Sequence, residues 1–350
     1  MPTARPRLAL TVGDCAGIGP ELALRVMAAP EIADCCRLLV YGNLALFRRV
    51  SAATGIPMPE GVTVLSHAGQ TGERVQSTGH VLFDLPFDEA ETLVPGRVQP
   101  ACGARAYDWI CRAVRDIQAG TADALVTAPI NKEALHLAGV NFPGHTEILA
   151  DLTRTAAPCM AFYAKGLFLS LATIHEALSN VPGLLSVTAL SRTIRLTHAA
   201  CQGFGTPAPR IGVLALNPHA GENGLFGQEE QSVISPAIAA ARNESIDAIG
   251  PLVPDTVFTG LCAGRPLPCD AYVAMYHDQG LIPFKMVAFD TGVNVTLGLP
   301  IIRTSPDHGT AFDLAWQGKA SDTSLRSAIG LAARMAGHKR DEATALLRRA

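Results

Sequence analysis

The sequence has little charge and few aromatic side chains. Asp, Glu, Lys and Arg make up 17% of its 350 residues, and Phe, Trp and Tyr make up 5%. The 28 Lys and Arg residues are balanced by 31 Asp and Glu residues, which gives a formal charge of −3. Nucleic-acid binding relies on cationic surfaces and often on stacking aromatics, so we expect no nucleic-acid partner. The hydrophobic content of 48% excludes an intrinsically disordered chain.

Long apolar runs are also lacking. Gly, Pro, Asp or His interrupts each run well before the roughly 18 residues that a membrane helix needs. The basic N-terminus leads into the apolar residues 8–12, but Asp14 and a glycine-rich turn follow at once, which is unlike a signal peptide. We therefore expect a cytoplasmic protein with no membrane partner.

The nine cysteines form no Cys-x-x-Cys motif, and their number is odd. This speaks against a disulfide scaffold and against a cysteine zinc site. We expect most of them to be small buried apolar side chains.

Strand-like and helix-like segments alternate along the chain, which predicts parallel α/β units. The predicted strands are 8–12, 38–41, 123–128, 168–174, 211–216, 271–276 and 293–297, and the predicted helices are 21–29, 104–119, 132–138, 191–202, 228–242, 310–316 and 323–336. Residues 55–100 show no strong period and are left unassigned. In open α/β sheets, ligands bind beyond the carboxyl ends of the strands.

Three histidines each follow a separate predicted strand: His175, His219 and His277. A lone histidine is usually structural, but three at one edge of a sheet predict a shared metal ion. Three imidazoles leave a coordination position open, as in catalytic sites.

Polar side chains are embedded in apolar sequence between residues 277 and 313. Lys285 and Arg303 together suit an anionic substrate, although either alone is compatible with a structural ion pair to Asp278 or Asp307. Residues 309–311 open the predicted helix 310–316, where backbone amides would attract a phosphate. The turn 13–21 offers Gly-x-Gly, but Leu22 replaces the third glycine of a dinucleotide fingerprint.

Several motifs, taken together and in order from about residue 8 to about residue 335, resemble the 4-hydroxythreonine-4-phosphate dehydrogenases of vitamin B6 synthesis. They are GDCAGIGPE (13–21), TAPINK (127–132), FPGHTE (142–147), NPHAGE (217–222), YHDQG (276–280), GVNVTLGLP (292–300) and RTSPDHGTA (303–311). Two residues depart from the family pattern: Cys15 stands where proline is usual, and Trp316 stands where a small residue is expected.

The resemblance implies an α/β fold like that of isocitrate and isopropylmalate dehydrogenases, with two α/β domains and a cleft between them. We expect residues 1–130 and 300–350 to form the first domain and residues 131–299 to form the second. It also implies a homodimer with a shared active site, the cofactor NAD or NADP, and one divalent ion of zinc, magnesium or cobalt in each site.

The resemblance also assigns residues. His175, His219 and His277 match the metal ligands, with the third supplied by the partner subunit. The remaining assignments are substrate binding by His145, Thr146, Lys285, Asn294 and Arg303, cofactor binding by Asp14, Gly17, Asp307, His308, Gly309 and Asp313, and proton transfer by Lys285 or Asp278, between which the sequence does not choose.

The implied reaction is NAD-dependent oxidation of 4-phosphooxy-L-threonine at C3. Decarboxylation then gives 3-amino-2-oxopropyl phosphate. The alternatives are a related metal-dependent dehydrogenase of 4-phosphoerythronate or 4-phospho-D-threonate, and a transferase on the same fold.

Overall fold

The computed structural model describes residues 5–66, 79–164 and 166–347 and has two compact units. One unit comprises the chain up to Ala156 and from Leu299 onward, and the other comprises Ala157–Gly298. The sequence predicts instead that the second domain begins at residue 131. This division into domains stays a prediction. The residues just after 131 form two helices that pack on the helix Pro100–Gln118 of the first unit.

The first unit is built on a parallel sheet with the strand order β3-β4-β2-β1-β5-β12. Its strands are β1 (Arg7–Thr11), β2 (Arg37–Gly42), β3 (Thr63–Ser66), β4 (Val81–Asp84), β5 (Ala124–Thr127) and β12 (Ile302–Pro306). Its helices are α1 (Gly19–Ala28), α2 (Pro30–Cys35), α3 (Leu44–Thr54), α4 (Pro100–Gln118), α5 (Lys132–Leu137), α6 (His145–Thr153) and α12 (Thr323–Leu347).

Local sequence explains where these helices begin and which faces they bury. The side chains of Asn43 and Asn131 accept hydrogen bonds from the backbone N–H three residues later, which caps α3 and α5. Trp109, Ile110 and Val114 lie on the buried face of α4, which packs against β1, β2 and β5. This spacing is that of an amphipathic helix covering a sheet.

The second unit has the strand order β11-β6-β7-β10-β8-β9. Its strands are β6 (Cys159–Ala164), β7 (Leu167–Leu171), β8 (Arg210–Leu214), β9 (Asp247–Leu252), β10 (Ala271–Ala274) and β11 (Val293–Leu297). Its helices are α7 (Val181–Leu184), α8 (Val187–Gly203), α9 (Ser235–Asn243), α10 (Pro254–Val257) and α11 (His277–Ala288). Its core includes Phe162, Leu169, Leu214, Tyr272 and Phe284.

The predicted parallel pairing holds for four strands of the second unit but not for β6 and β11. Strand β6 pairs antiparallel with both β7 and β11, whereas β7, β10, β8 and β9 are parallel. No helix separates β6 from β7, and a chain that reverses within two residues can form only an antiparallel pair.

The predicted helix 310–316 is also wrong, because these residues form turns. Ala311 and Trp316 have φ of 41° and 59°, which a right-handed helix does not accommodate. The unassigned region 55–100 contains β3 and β4, and its residues 67–78 lie outside the described part of the chain.

All nine cysteines are free, and seven of them are buried, as the sequence predicted. No helix within residues 5–66, 79–164 and 166–347 combines the length and apolarity that crossing a membrane requires.

Candidate functional site

In the second unit, the three predicted metal ligands follow three neighbouring parallel strands. His175 comes after β7, His277 after β10 and His219 after β8, and these strands are adjacent in the order β7-β10-β8. Parallel strands end at the same edge of a sheet, so the three histidines belong to loops at that edge. The structure brings the rings of His175 and His277 together, with centroids 5.8 Å apart.

The donor chemistry at this edge suits a divalent metal ion. The Nδ1 atom of His277 lies 2.7 Å from the carboxylate Oδ1 of Asp278, which leaves Nε2 available as a ligand. Carboxylates orient metal-binding imidazoles in this way. Among the described residues of this single chain, however, no three His, Cys, Asp or Glu side chains converge on one point. His219 is therefore not part of a complete set within one chain.

His219 lies in an unusual backbone segment. Residues 219–223 all have positive φ, between 43° and 78°, so the segment is a left-handed turn. His219 also lines a cavity of about 770 Å³ together with Asp278 and Asp255. Most of the other lining residues are apolar, including Phe258, Ile282 and Met286.

The remaining predicted residues of this unit lie on α11 and β11. Lys285 is two helical turns after His277 on α11, and its Nζ is 6.0 Å from the centre of the Phe289 ring. Asn294 is half-buried on β11, opposite Phe162 of β6.

In the first unit, the Arg303 guanidinium lies near the His145 imidazole, and we refer to this pair of side chains as the anion pocket. Arg303 is 4% exposed, and its Nη2 donates to Thr127 Oγ1 at 2.8 Å. Burial lowers the pKa of the Arg303 guanidinium to about 10, while the Glu147 carboxylate acts in the opposite direction. Even so, the guanidinium is charged at every physiological pH.

His145 begins α6, with Thr146 next to it. Its Nε2 atom is buried and has no hydrogen-bond partner among the described residues. Burial and the nearby Arg303 cation hold the pKa of the imidazole well below its ordinary value. A neutral imidazole beside a buried guanidinium offers a ligand one hydrogen bond and one full positive charge.

The predicted cofactor residues lie in two loops of the first unit that contact each other. The backbone N–H of Ile18 donates to Thr310 O at 3.1 Å, and a Cβ added to Gly17 would lie 2.9 Å from the same oxygen. Glycine at position 17 therefore permits the close approach of the two loops.

The second of these loops holds four predicted cofactor residues. The backbone N–H of Asp307 donates to Ser324 Oγ, His308 Nδ1 is 3.0 Å from Gly309 O, and Asp313 lies in the turn that follows. Because 310–316 is not a helix, the expected helix N-terminus at 309–311 does not exist.

Several groups at these sites were not predicted from the sequence. Thr127 and Glu147 lie inside recognised motifs. The position of Thr127 near the end of a predicted strand could have indicated a site residue, whereas no such pattern marks Glu147. Asp255 gave no signal, because tertiary packing brings it to the cavity that His219 lines.

Asp14 is a buried carboxyl group with incomplete hydrogen bonding. It is 1% exposed, its Oδ1 accepts from Ala16 N at 2.9 Å, and its Oδ2 has no partner among the described residues. Burial raises the pKa of Asp14 to about 6, although the N–H groups of Ala16 and Gly17 act to lower it.

This shift makes Asp14 a destabilising group at neutral pH. Between pH 3.8 and about 6 the folded protein binds more protons than the unfolded chain, so the free energy of unfolding falls as pH rises. The loss reaches roughly 3 kcal/mol above pH 6.

Asp14→Asn should therefore raise the melting temperature at pH 7.5, and the gain should shrink toward pH 4.5. Asp34→Asn, which makes the same charge change on an exposed residue, is the control. An Asp14→Asn protein no more stable than wild type at pH 7.5 would contradict this assignment.

Comparison with known proteins gives a consistent family. Residues 34–332 match the family described as "Pyridoxal phosphate biosynthetic protein PdxA". A 4-hydroxythreonine-4-phosphate dehydrogenase of Geobacter metallireducens is 47% identical over 347 residues, covering 96% of this chain and 97% of the relative. A D-threonate 4-phosphate dehydrogenase of Salmonella typhimurium is 43% identical over 330 residues, covering 94% of this chain and 98% of the relative.

A solved structure is similar over almost the same length. The crystal structure of a 4-hydroxythreonine-4-phosphate dehydrogenase from Klebsiella pneumoniae superposes with a TM-score of 0.82 at 40% identity, covering 95% of this chain and 99% of that one. This likeness confirms the predicted α/β fold class. The chain belongs to the PdxA family of pyridoxal phosphate biosynthetic proteins.

Proposed function

We propose that this chain is a nicotinamide- and metal-dependent dehydrogenase that oxidises 4-phosphooxy-L-threonine at C3, with decarboxylation to 3-amino-2-oxopropyl phosphate. The observation that carries the proposal is the anion pocket. A guanidinium that is 4% exposed is expensive to bury, and a phosphate group is the ligand that its charge and planar fork suit best. A cytoplasmic location remains a prediction.

The residues of the first unit hold the substrate's phosphate and the cofactor. Arg303 supplies a paired set of N–H donors, while His145 and Thr146 supply uncharged hydrogen bonds at the start of α6. The two contacting loops, with Asp14, Gly17, Asp307, His308, Gly309 and Asp313, hold NAD or NADP. When bound, the nicotinamide ring accepts a hydride.

The residues of the second unit would supply the metal site and the proton acceptor. His175, His219 and His277 would hold a zinc, magnesium or cobalt ion, which as a Lewis acid lowers the pKa of a hydroxyl group that it binds. Asp278 orients His277 through its 2.7 Å contact with Nδ1. We therefore assign proton removal from the C3 hydroxyl to Lys285, while Asn294 helps to orient the substrate.

A second copy of the chain completes the site. Ile282, Met286 and Phe289 lie on one face of α11 and just after its end, and they are 61%, 70% and 73% exposed. Three large apolar side chains at this spacing indicate a surface that another protein covers. The same helix begins with His277, so a partner seated on it would lie beside the metal ligands.

Turnover of the candidate substrates tests the function directly. Purified protein with Zn²⁺, Mg²⁺ or Co²⁺ and NAD or NADP should produce absorbance at 340 nm from 4-phosphooxy-L-threonine. The relative that is 43% identical is named for D-threonate 4-phosphate, so 4-phospho-D-threonate is assayed beside it, together with 4-phosphoerythronate. Preference for either one would replace the proposed substrate, and no reduction of nicotinamide with any of the three would favour the transferase alternative.

Arg303→Lys tests the anion pocket. It replaces a bidentate fork with a point charge, so we expect a loss of roughly 1.5–3 kcal/mol of substrate binding, or about a 10- to 150-fold higher KM. Arg340→Lys is the control, because it makes the same change in a partly buried arginine–carboxylate pair, that of Arg340 on α12 with Asp123. An unchanged KM and kcat in Arg303→Lys would make Arg303 a structural residue.

Subunit mixing tests the shared site. If the partner supplies His277, inactive His175→Ala and inactive His277→Ala subunits should recover up to about a quarter of wild-type activity after exchange. Half of the dimers are then mixed, and each mixed dimer has one intact site of two. The companion mixture of His175→Ala with His219→Ala is needed because His175 and His277 of one chain lie together, with ring centroids 5.8 Å apart. Recovery only there would assign His219 to the partner, and recovery in neither mixture, with exchange verified by mass spectrometry, would reject a shared site.

A further inference from the structure

Glu230 is a buried carboxylate that the proposed reaction does not use. It is 4% exposed and begins the π-helical turn Glu230–Ile234 before α9. Its Oε1 accepts hydrogen bonds from the backbone N–H groups of Leu216 and Asn217, both at 2.8 Å. Its Oε2 accepts from the side-chain Nδ2 of Asn217 at 2.9 Å. A single side chain therefore fixes the chain just where it leaves β8.

The same carboxylate supports the left-handed turn that follows. A Cβ added to Gly221 would lie 2.7 Å from Glu230 Oε2, so the carboxylate packs directly against the middle of the turn. His219, Ala220, Glu222 and Asn223 are the non-glycine residues with positive φ in this turn. Left-handed helical geometry costs L-residues roughly 1–2 kcal/mol each, so the surrounding structure must hold it.

We propose that Glu230 is a positioning residue that holds the left-handed turn and thereby aims the imidazole of His219. The assignment rests on the proposed function, in which His219 is a metal ligand. Glu230 itself is placed behind the turn, with its oxygens occupied by Leu216 and Asn217. It acts through the backbone of residues 216–221 rather than by touching substrate or metal.

The adjacent residue provides a matched control. Glu229 Oε2 also accepts from Asn217 Nδ2, at 2.7 Å, but no backbone N–H of the turn donates to it. Glu229→Gln and Glu230→Gln therefore make the same charge change at neighbouring positions. Only the second puts an amide donor where the buried carboxylate now accepts.

The experiment compares Glu230→Met, Glu230→Gln and Glu229→Gln in the full-length protein. Met keeps the length of the side chain but accepts no strong hydrogen bonds, so amide hydrogen exchange of peptides covering 216–226 should become at least about tenfold faster. The dissociation constant for Co²⁺, measured by equilibrium dialysis, should rise roughly 10- to 100-fold. Glu230→Gln keeps one acceptor and should be intermediate in both measurements, whereas Glu229→Gln should remain near wild type.

Two results would overturn the proposal. One is Glu230→Met with wild-type exchange at 216–226, and the other is faster exchange there with unchanged Co²⁺ affinity. If Glu230→Met does not fold, Glu230→Gln decides by the same two measurements. His219→Ala serves as the reference: unchanged Co²⁺ binding in that variant would refute the proposed ligand itself, while hydrogen exchange in the Glu230 variants still reports on the turn.

Discussion

Parallel strand pairing is the constraint on which both candidate sites depend. Within each unit, neighbouring parallel strands must end at the same edge of the sheet, so the loops that follow them are neighbours as well. In the second unit this applies to β7, β10 and β8, and in the first to β1, β5 and β12. The loops after β7, β10 and β8 carry the three histidines. The loops after β1 and β12 carry Asp14 and Asp307, while Arg303 and Thr127 lie on the strands β12 and β5 themselves. Antiparallel pairing in either group would send these side chains to opposite edges.

Glu230, Asp14 and Arg303 are buried charged groups with different surroundings. Burial alone would raise the pKa of Glu230, yet the donors supplied by Asn217 and Leu216 hold it below its ordinary value. Asp14 receives fewer donors, and its pKa rises. Arg303 stays charged beside a neutral imidazole. Glu230, the carboxylate with the most hydrogen-bond donors, is the one for which we propose a structural role. Asp14 and Arg303 lie where ligands are expected to bind.

Sequence reasoning succeeded where short-range patterns decide the outcome. Apolar runs located most of the central strands, and the sequence correctly placed His175, His219 and His277 after strands that share one sheet edge. Their role as metal ligands stays a prediction. Sequence reasoning failed where the local sequence pattern does not determine the backbone conformation. Residues 310–316 look helical in composition, but positive φ at Ala311 and Trp316 depends on contacts such as that of Trp316 Nε1 with Cys15 O. The left-handed turn likewise depends on tertiary contacts, among them those of the Glu230 carboxylate with the backbone N–H groups of Leu216 and Asn217.

The left-handed turn has a stereochemical consequence for the chain's own building blocks. Its backbone angles are those that a D-amino acid prefers and an L-amino acid avoids, because mirror-image residues have mirror-image allowed regions. Ala220, with φ of 54°, is an L-residue in a conformation suited to its enantiomer. For D-alanine at this position, the same backbone angles would lie in the favoured region. β-Branched L-residues, by contrast, tolerate these angles least.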